Sequence, residues 1–220
     1  MTEKISFPEG LVEIMRRFDQ CPLPEIQTAF AAAAASTADE GEKNILNFLS
    51  NCAEQAKTSG SPEAIGNLAA IFGGADHFDV AIPLLEKACN EGGLPLNHLL
   101  TNLYNLGNLY SRTDRVHDAL EAYEQVIQSW DSRLDTQDPK AFLDAVLDHG
   151  RNFELYDFIL HETKIRIANT ATLIGLDLHA EGRNAEARPY LEKALEYKEH
   201  LPTSQANAPT GEAPFGPTLH

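Results

Sequence analysis

Two pairs of residues in this chain have the spacing of a chemical centre. Asp144 and Asp148 stand four apart, and so do Asp157 and His161. On helices, that interval puts each pair on one face. Two such helices joined as an antiparallel hairpin would bring three carboxylates and an imidazole together as oxygen and nitrogen ligands for a metal ion. The same residues also read as solvated helix faces, with Asp157 and His161 paired along one helix. In a chain with 33 Asp and Glu against 17 Lys and Arg, acidic residues four apart are frequent, and this second reading is the one adopted. No glycine-rich phosphate loop, HExxH, paired CxxC or Gly-x-Ser-x-Gly elbow is present. The expectation is a protein without catalytic residues, resident metal or cofactor, and a metal-dependent enzyme is the least favoured alternative. His77, His117 and His149 fall at turns or helix starts, and Trp130 closes a helix as a packing residue.

The elements that would carry these residues are helical. The 220 residues are 43% hydrophobic and 23% charged, an ordinary globular balance. A formal charge of −16 opposes binding to nucleic acid and to anionic membranes, and it would steer a basic partner inward. No apolar run has the length needed to span a bilayer, and the opening MTEKISFPEG lacks the apolar centre of a secretory signal. A cytoplasmic location is expected. Cys21, Cys52 and Cys89 are odd in number, far apart and set in apolar helical patterns, which predicts reduced, buried thiols.

Taken in order, Leu11, Ile14, Met15 and Phe18 make a helix stripe with Pro8 in the first turn, and Pro24 to Ser36 is a second helix with five alanines at 31–35. Thr37-Ala-Asp-Glu40 has capping-box form and leads a third helix that ends by Ser59-Gly60. Ser61-Pro62 caps a fourth, closed by Gly73 to Asp76. The fifth, from Phe78 to Gly93, carries Pro83, which a first turn tolerates. Two further helices occupy Leu99 to Trp130 on either side of the break at Arg112 to Arg115. A weaker pair across His149-Gly150 spans Pro139 to Ile167, and a last helix covers Asn184 to Glu199, for about eleven helices in all. Residues 201–220 hold four prolines and two glycines and are expected to be a disordered tail.

A repeat runs through these helices. AIPLLEKA at Ala81 to Ala88 returns as ARPYLEKA at Ala187 to Ala194. Ala119-Leu-Glu-Ala-Tyr123 lies between them, 68 residues before the second copy, which is two periods of 34. Leu103, Leu106, Gly107, Tyr110, Ala119 and Tyr123 follow W-x2-L-G-x2-Y then A-x3-F, with leucine in place of the tryptophan. Ile65, Leu68, Ala69, Phe72, Ala81, Leu85 and Ala88 repeat the pattern before it, and Ala171, Ile174, Gly175, Leu178, Gly182, Ala187, Leu191 and Ala194 after it. The chain resembles the tetratricopeptide repeat family, with three clear repeats and one degenerate one. The resemblance implies an all-α fold, a right-handed superhelix of antiparallel helix pairs. On this reading 1–60 caps or extends the stack, 61–200 is the array and 201–220 the tail.

The resemblance also implies a function. First helices of successive repeats would line a concave groove that binds protein or peptide, without catalysis, as an adaptor or scaffold. In the central repeat the groove candidates are Thr101, Tyr104, Asn105, Asn108, Ser111 and Arg112. Asparagine can serve a peptide backbone as donor and acceptor, and tyrosine can cover an apolar side chain. Matching positions in the flanking repeats include Asn67 on one side and Asn169, Thr172 and His179 on the other, beside Glu63, Ala70 and Leu176. They are not lysine-rich, so capture of an acidic C-terminal tail is not supported, and a basic or neutral partner is expected. The alternatives are a dedicated acidic inhibitor or chaperone of one basic protein, and a homo-oligomer pairing through the degenerate repeat or the N-terminal helices.

Overall fold

The computed structural model describes residues 5–91, 93–134 and 151–199, and among them every regular element is a helix. They form two compact units that part between Leu94 and Pro95. The first unit holds α1 (Glu9–Arg16), α2 (Leu23–Ser36), α3 (Glu40–Ser59), α4 (Pro62–Gly74) and α5 (Phe78–Asn90). The second holds α6 (Leu96–Arg112), α7 (Val116–Leu134), α8 (Arg151–Ala180) and α9 (Asn184–Glu199). No helix among the described residues is long and apolar enough to cross a membrane.

In the first unit α2 packs on α3, α3 on α4 and α4 on α5, and α1 contacts both α2 and α5. Phe30, Leu49, Ile65, Leu68, Phe72 and Leu85 are at most 1% exposed and form its core, with Phe7 stacked on Phe72 at 4.6 Å between ring centroids. The caps follow from sequence. Ser61 Oγ accepts from the Ala64 N–H at 3.2 Å, Pro62 occupies the first helical turn, and Gly60 ends α3 at φ 65°. One cap differs from the expected box. The N-cap of α3 is Asp39, whose carboxylate accepts from the Glu42 N–H at 2.9 Å, while Thr37 hydrogen-bonds the Glu42 side chain from outside the helix. Asp39 lies immediately before the helical backbone, and its short acceptor reaches the third amide; Thr37 is two residues too early for that.

Three hairpins share one geometry: α4 with α5, α6 with α7, and the C-terminal half of α8 with α9. Each turn has three residues, at 75–77, 113–115 and 181–183. The middle residue is left-handed each time: Asp76 at φ 67°, Asp114 at φ 58° and Gly182 at φ 79°. Each is closed by the same backbone bond, from His77 N–H to Phe72 O at 3.0 Å, Arg115 N–H to Tyr110 O at 2.9 Å, and Arg183 N–H to Leu178 O at 2.9 Å. That bond and the left-handed residue together are a Schellman ending, which consumes carbonyls that the first helix would otherwise leave unpaired. In the second unit, Arg115 Nε also donates to Asp118 as Arg183 Nε does to Glu186, at 2.6 and 3.0 Å. Pro83 and Pro189 both stand sixth in their second helices, two positions past the first turn in which the sequence pattern places Pro83.

The helix before the last turn departs from expectation. Arg151–Ala180 is one helix of 30 residues, so what the sequence divides between the degenerate repeat and the last clear one is continuous. From Leu160 to Ala168 the chain reads LHETKIRIA, without the proline, glycine or cap that would end a helix. The other half of the degenerate hairpin, with Asp144, Asp148 and the His149-Gly150 break, lies outside the described residues.

Candidate functional site

The two hairpins of the second unit are built around matching close approaches. A Cβ placed on Gly107 would lie 2.6 Å from Tyr123 Cδ1, and one on Gly175 would lie 2.6 Å from Leu191 Cδ2. Both partners are 16 residues downstream, on the second helix of the hairpin. Small residues at 107 and 175 therefore set how closely each helix pair closes, and the positions 68 residues apart are structurally equivalent. Sequence models described as tetratricopeptide repeat match residues 100–131 and 168–200. These two hairpins are tetratricopeptide repeats. No curated protein and no solved structure matched the chain significantly. Repeats of this family mediate protein–protein interaction, so the surfaces of these two repeats are where a binding site is sought.

The polar residues assigned to a groove on α6 are mostly enclosed. Thr101, Tyr104 and Asn105 are 7%, 6% and 3% exposed, in a helix buried at every position from Leu100 to Gly107. Their surroundings explain it, because α6 packs against both α7 and α8. The Tyr156 ring of α8 lies 5.3 Å from that of Trp130 on α7, and the Asn97 backbone of α6 partly offsets the rise that burial gives the Tyr156 phenol. Trp130 is thus a packing residue, as expected. Thr101 turns its hydroxyl back to the Asn97 carbonyl at 2.7 Å. Asn108, half-buried, accepts at 2.7 Å from the hydroxyl of Tyr123, whose ring is fully buried and lies 6.2 Å from that of Tyr104. Burial pushes the Tyr123 phenol well above its ordinary range, against a smaller opposing pull from Arg166.

Five buried side-chain atoms make no hydrogen bond within the described protein: Asn102 Nδ2, Tyr104 Oη, Asn105 Nδ2, Thr163 Oγ1 and Arg166 Nε. All belong to α6 or α8. Each such group costs about 1–3 kcal/mol when it leaves water without a replacement partner.

The more exposed positions are elsewhere. Ser111 and Arg112 are exposed at the end of α6, Asn67 is half-buried on α4 in the first unit, and Asn169 and Thr172 are half-buried on α8. Thr172 uses its hydroxyl on the Ala168 carbonyl at 2.7 Å. His179 is exposed, with Nδ1 2.5 Å from Asn184 Oδ1, so its ring joins the end of α8 to the start of α9. The largest apolar exposure on this helix half is Leu173 and Leu176, at 49% and 54%. Leu176 stands among the groove positions of the sequence reading, whereas Leu173 does not. Its signal was available, since it falls 68 residues after Asn105.

Of the candidate metal cluster, Asp157 is exposed and His161 half-buried on α8. Among the described residues, no three His, Cys, Asp or Glu side chains are grouped to hold a metal ion. Cys21, Cys52 and Cys89 are free thiols, the first two buried and the third partly so.

Proposed function

We propose that the protein is a non-catalytic adaptor that captures a polypeptide partner on the first-helix side of its C-terminal repeat. The observation that carries this reading is the exposed pair Leu173 and Leu176, three apart on α8, in a repeat of a protein-binding family. Helical spacing puts them on one face, and burying a leucine side chain stabilises a complex by roughly 1.5–3 kcal/mol. Asn169 and His179 supply polar atoms on the same helix, and Ser111 and Arg112 are exposed on α6. Thr101, Tyr104, Asn105 and Asn108 shape and hold the hairpin in this reading, and they meet a partner only where α8 leaves them uncovered. The net charge of −16 favours a basic or neutral partner. The three free thiols suit a reducing compartment such as the cytoplasm.

The test is affinity capture from native lysate with wild type and with Leu173→Ser/Leu176→Ser, read by mass spectrometry. The exposed positions should tolerate serine with unchanged melting, and the specifically retained proteins should be lost. Retention of the same proteins at the same yield by the double variant would remove α8 as the binding surface.

A further inference from the structure

The second helices of the same two hairpins, α7 and α9, lie side by side. The rings of His117 and Tyr190 meet edge to face at 5.8 Å near the start of both helices, and Glu124 is ion-paired with Lys193 further along. Beyond that pair an open groove of about 540 Å³ separates them, lined by Glu124, Ile127 and Asp131 from α7 and by Lys193, Glu196 and Tyr197 from α9. Its walls combine two kinds of surface. Ile127 and Tyr197 are half-buried and present apolar area to the groove, while three carboxylates face one ammonium. Lys193 is committed to Glu124, and neither Asp131 nor Glu196 has an ion-pair partner among the described residues. The Tyr197 phenol is raised by burial and then by Glu196, Glu124 and Asp131, so all three carboxylates act on one point of the groove wall.

We propose that the groove between α7 and α9 is a docking site for an extended basic segment of a partner protein, with a lysine or arginine side chain lying along it. The aliphatic stem of such a side chain would cover Ile127 and the Tyr197 ring, and its cationic head would meet Asp131 and Glu196. The charge left unmatched in the groove is negative, which selects a cation over any other side chain. This surface belongs to the second helices and does not depend on Leu173 or Leu176.

The experiment uses the full chain and a fluorescently labelled octalysine peptide as probe, with binding read by anisotropy at physiological ionic strength. Two exposed ion pairs at the usual strength amount to about tenfold in affinity, so Asp131→Asn/Glu196→Gln should weaken binding by roughly that factor. A double variant with the same loss of charge on α2 and α3, Glu25→Gln/Glu54→Gln, should change it less than about twofold, because it leaves both groove carboxylates in place. Lys193→Gln, which frees Glu124, should tighten binding. No binding by the wild type, equal weakening by the two double variants, or no tightening by Lys193→Gln would each overturn the proposal. Circular dichroism of each variant separates a lost site from a lost fold, and the lysine variant keeps the question open to refutation if the double variant is unfolded.

Discussion

Replacing Gly107 with alanine sets two known effects against each other in one methyl group. In an exposed helix interior the change is favourable by about 0.8–1 kcal/mol. At Gly107 the new Cβ would stand 2.6 Å from Tyr123 Cδ1 and 2.9 Å from Cζ, where carbon atoms ordinarily rest about 3.5–4.0 Å apart. The ring has little freedom to retreat. Tyr123 is fully buried and held through its hydroxyl by Asn108 at 2.7 Å, so a shift would strain that bond as well. Overpacking of this kind costs about 1–3 kcal/mol and can exceed that, which leaves a net loss of up to about 2 kcal/mol after the gain in helix propensity. For a chain of this size, each kcal/mol lowers the melting temperature by about 2–4 °C. Urea and thermal unfolding followed by circular dichroism would measure it. The decisive comparison is made in a Tyr123→Val background, where the ring atoms that meet the methyl are gone. There Gly107→Ala should become neutral or stabilising, although Tyr123→Val is costly by itself. If the two substitutions add within about 0.5 kcal/mol, or if Gly107→Ala stabilises the wild type, the ring is not what requires glycine at this position.

Two further outcomes follow from the turns and the thiols. Gly182→Ala should lose about 1 kcal/mol, because φ 79° strains a Cβ, whereas Gly182→Asp should lose less, since Asp76 and Asp114 hold the same place in the other two hairpins; equal losses in chemical denaturation would contradict the equivalence of the turns. Burial, aided by the Glu63 carboxylate, raises the Cys52 thiol to about 11, and burial raises Cys89 to about 12, from 9.0. The folded chain therefore keeps protons that the unfolded chain releases first, so this contribution is complete below pH 9.0 and declines as pH rises toward 11 and 12. Urea midpoints should fall more steeply with alkaline pH in wild type than in Cys52→Ala/Cys89→Ala, and parallel curves would show that the thiols are not protonated more tightly in the fold.

The repeat was legible because its determinants are local. Ala69, Gly107 and Gly175 are small where a partner helix closes, large apolar residues recur beside them, and an Asp or Gly sits at each left-handed turn position. A sequence displays all of that in phase. The extent of α8 was harder to read, because a repeat template expects a break near Ile167, whereas the helix stops only at a signal, and LHETKIRIA contains none. The burial of the polar side of α6 is not legible in the sequence for a different reason. Periodicity separates an apolar stripe from a polar one and assigns the polar one to water, but a neighbouring helix can cover both.

That cover changes what the polar residues of α6 mean. Asn105 occupies in the first matched repeat the position that Leu173 occupies in the second, yet Asn105 is 3% exposed and Leu173 49%. The residue types are inverted relative to their surroundings: an amide with an unpartnered nitrogen is enclosed, and a leucine faces water. Stability alone favours the opposite arrangement, because apolar burial is favourable and an unpaired buried amide is costly. A fold that keeps the leucine outside does so at no gain to itself, and a partner that buried it would supply the missing gain. The same reasoning supports the proposal that Leu173 and Leu176 of α8, rather than the asparagines of α6, form the binding surface.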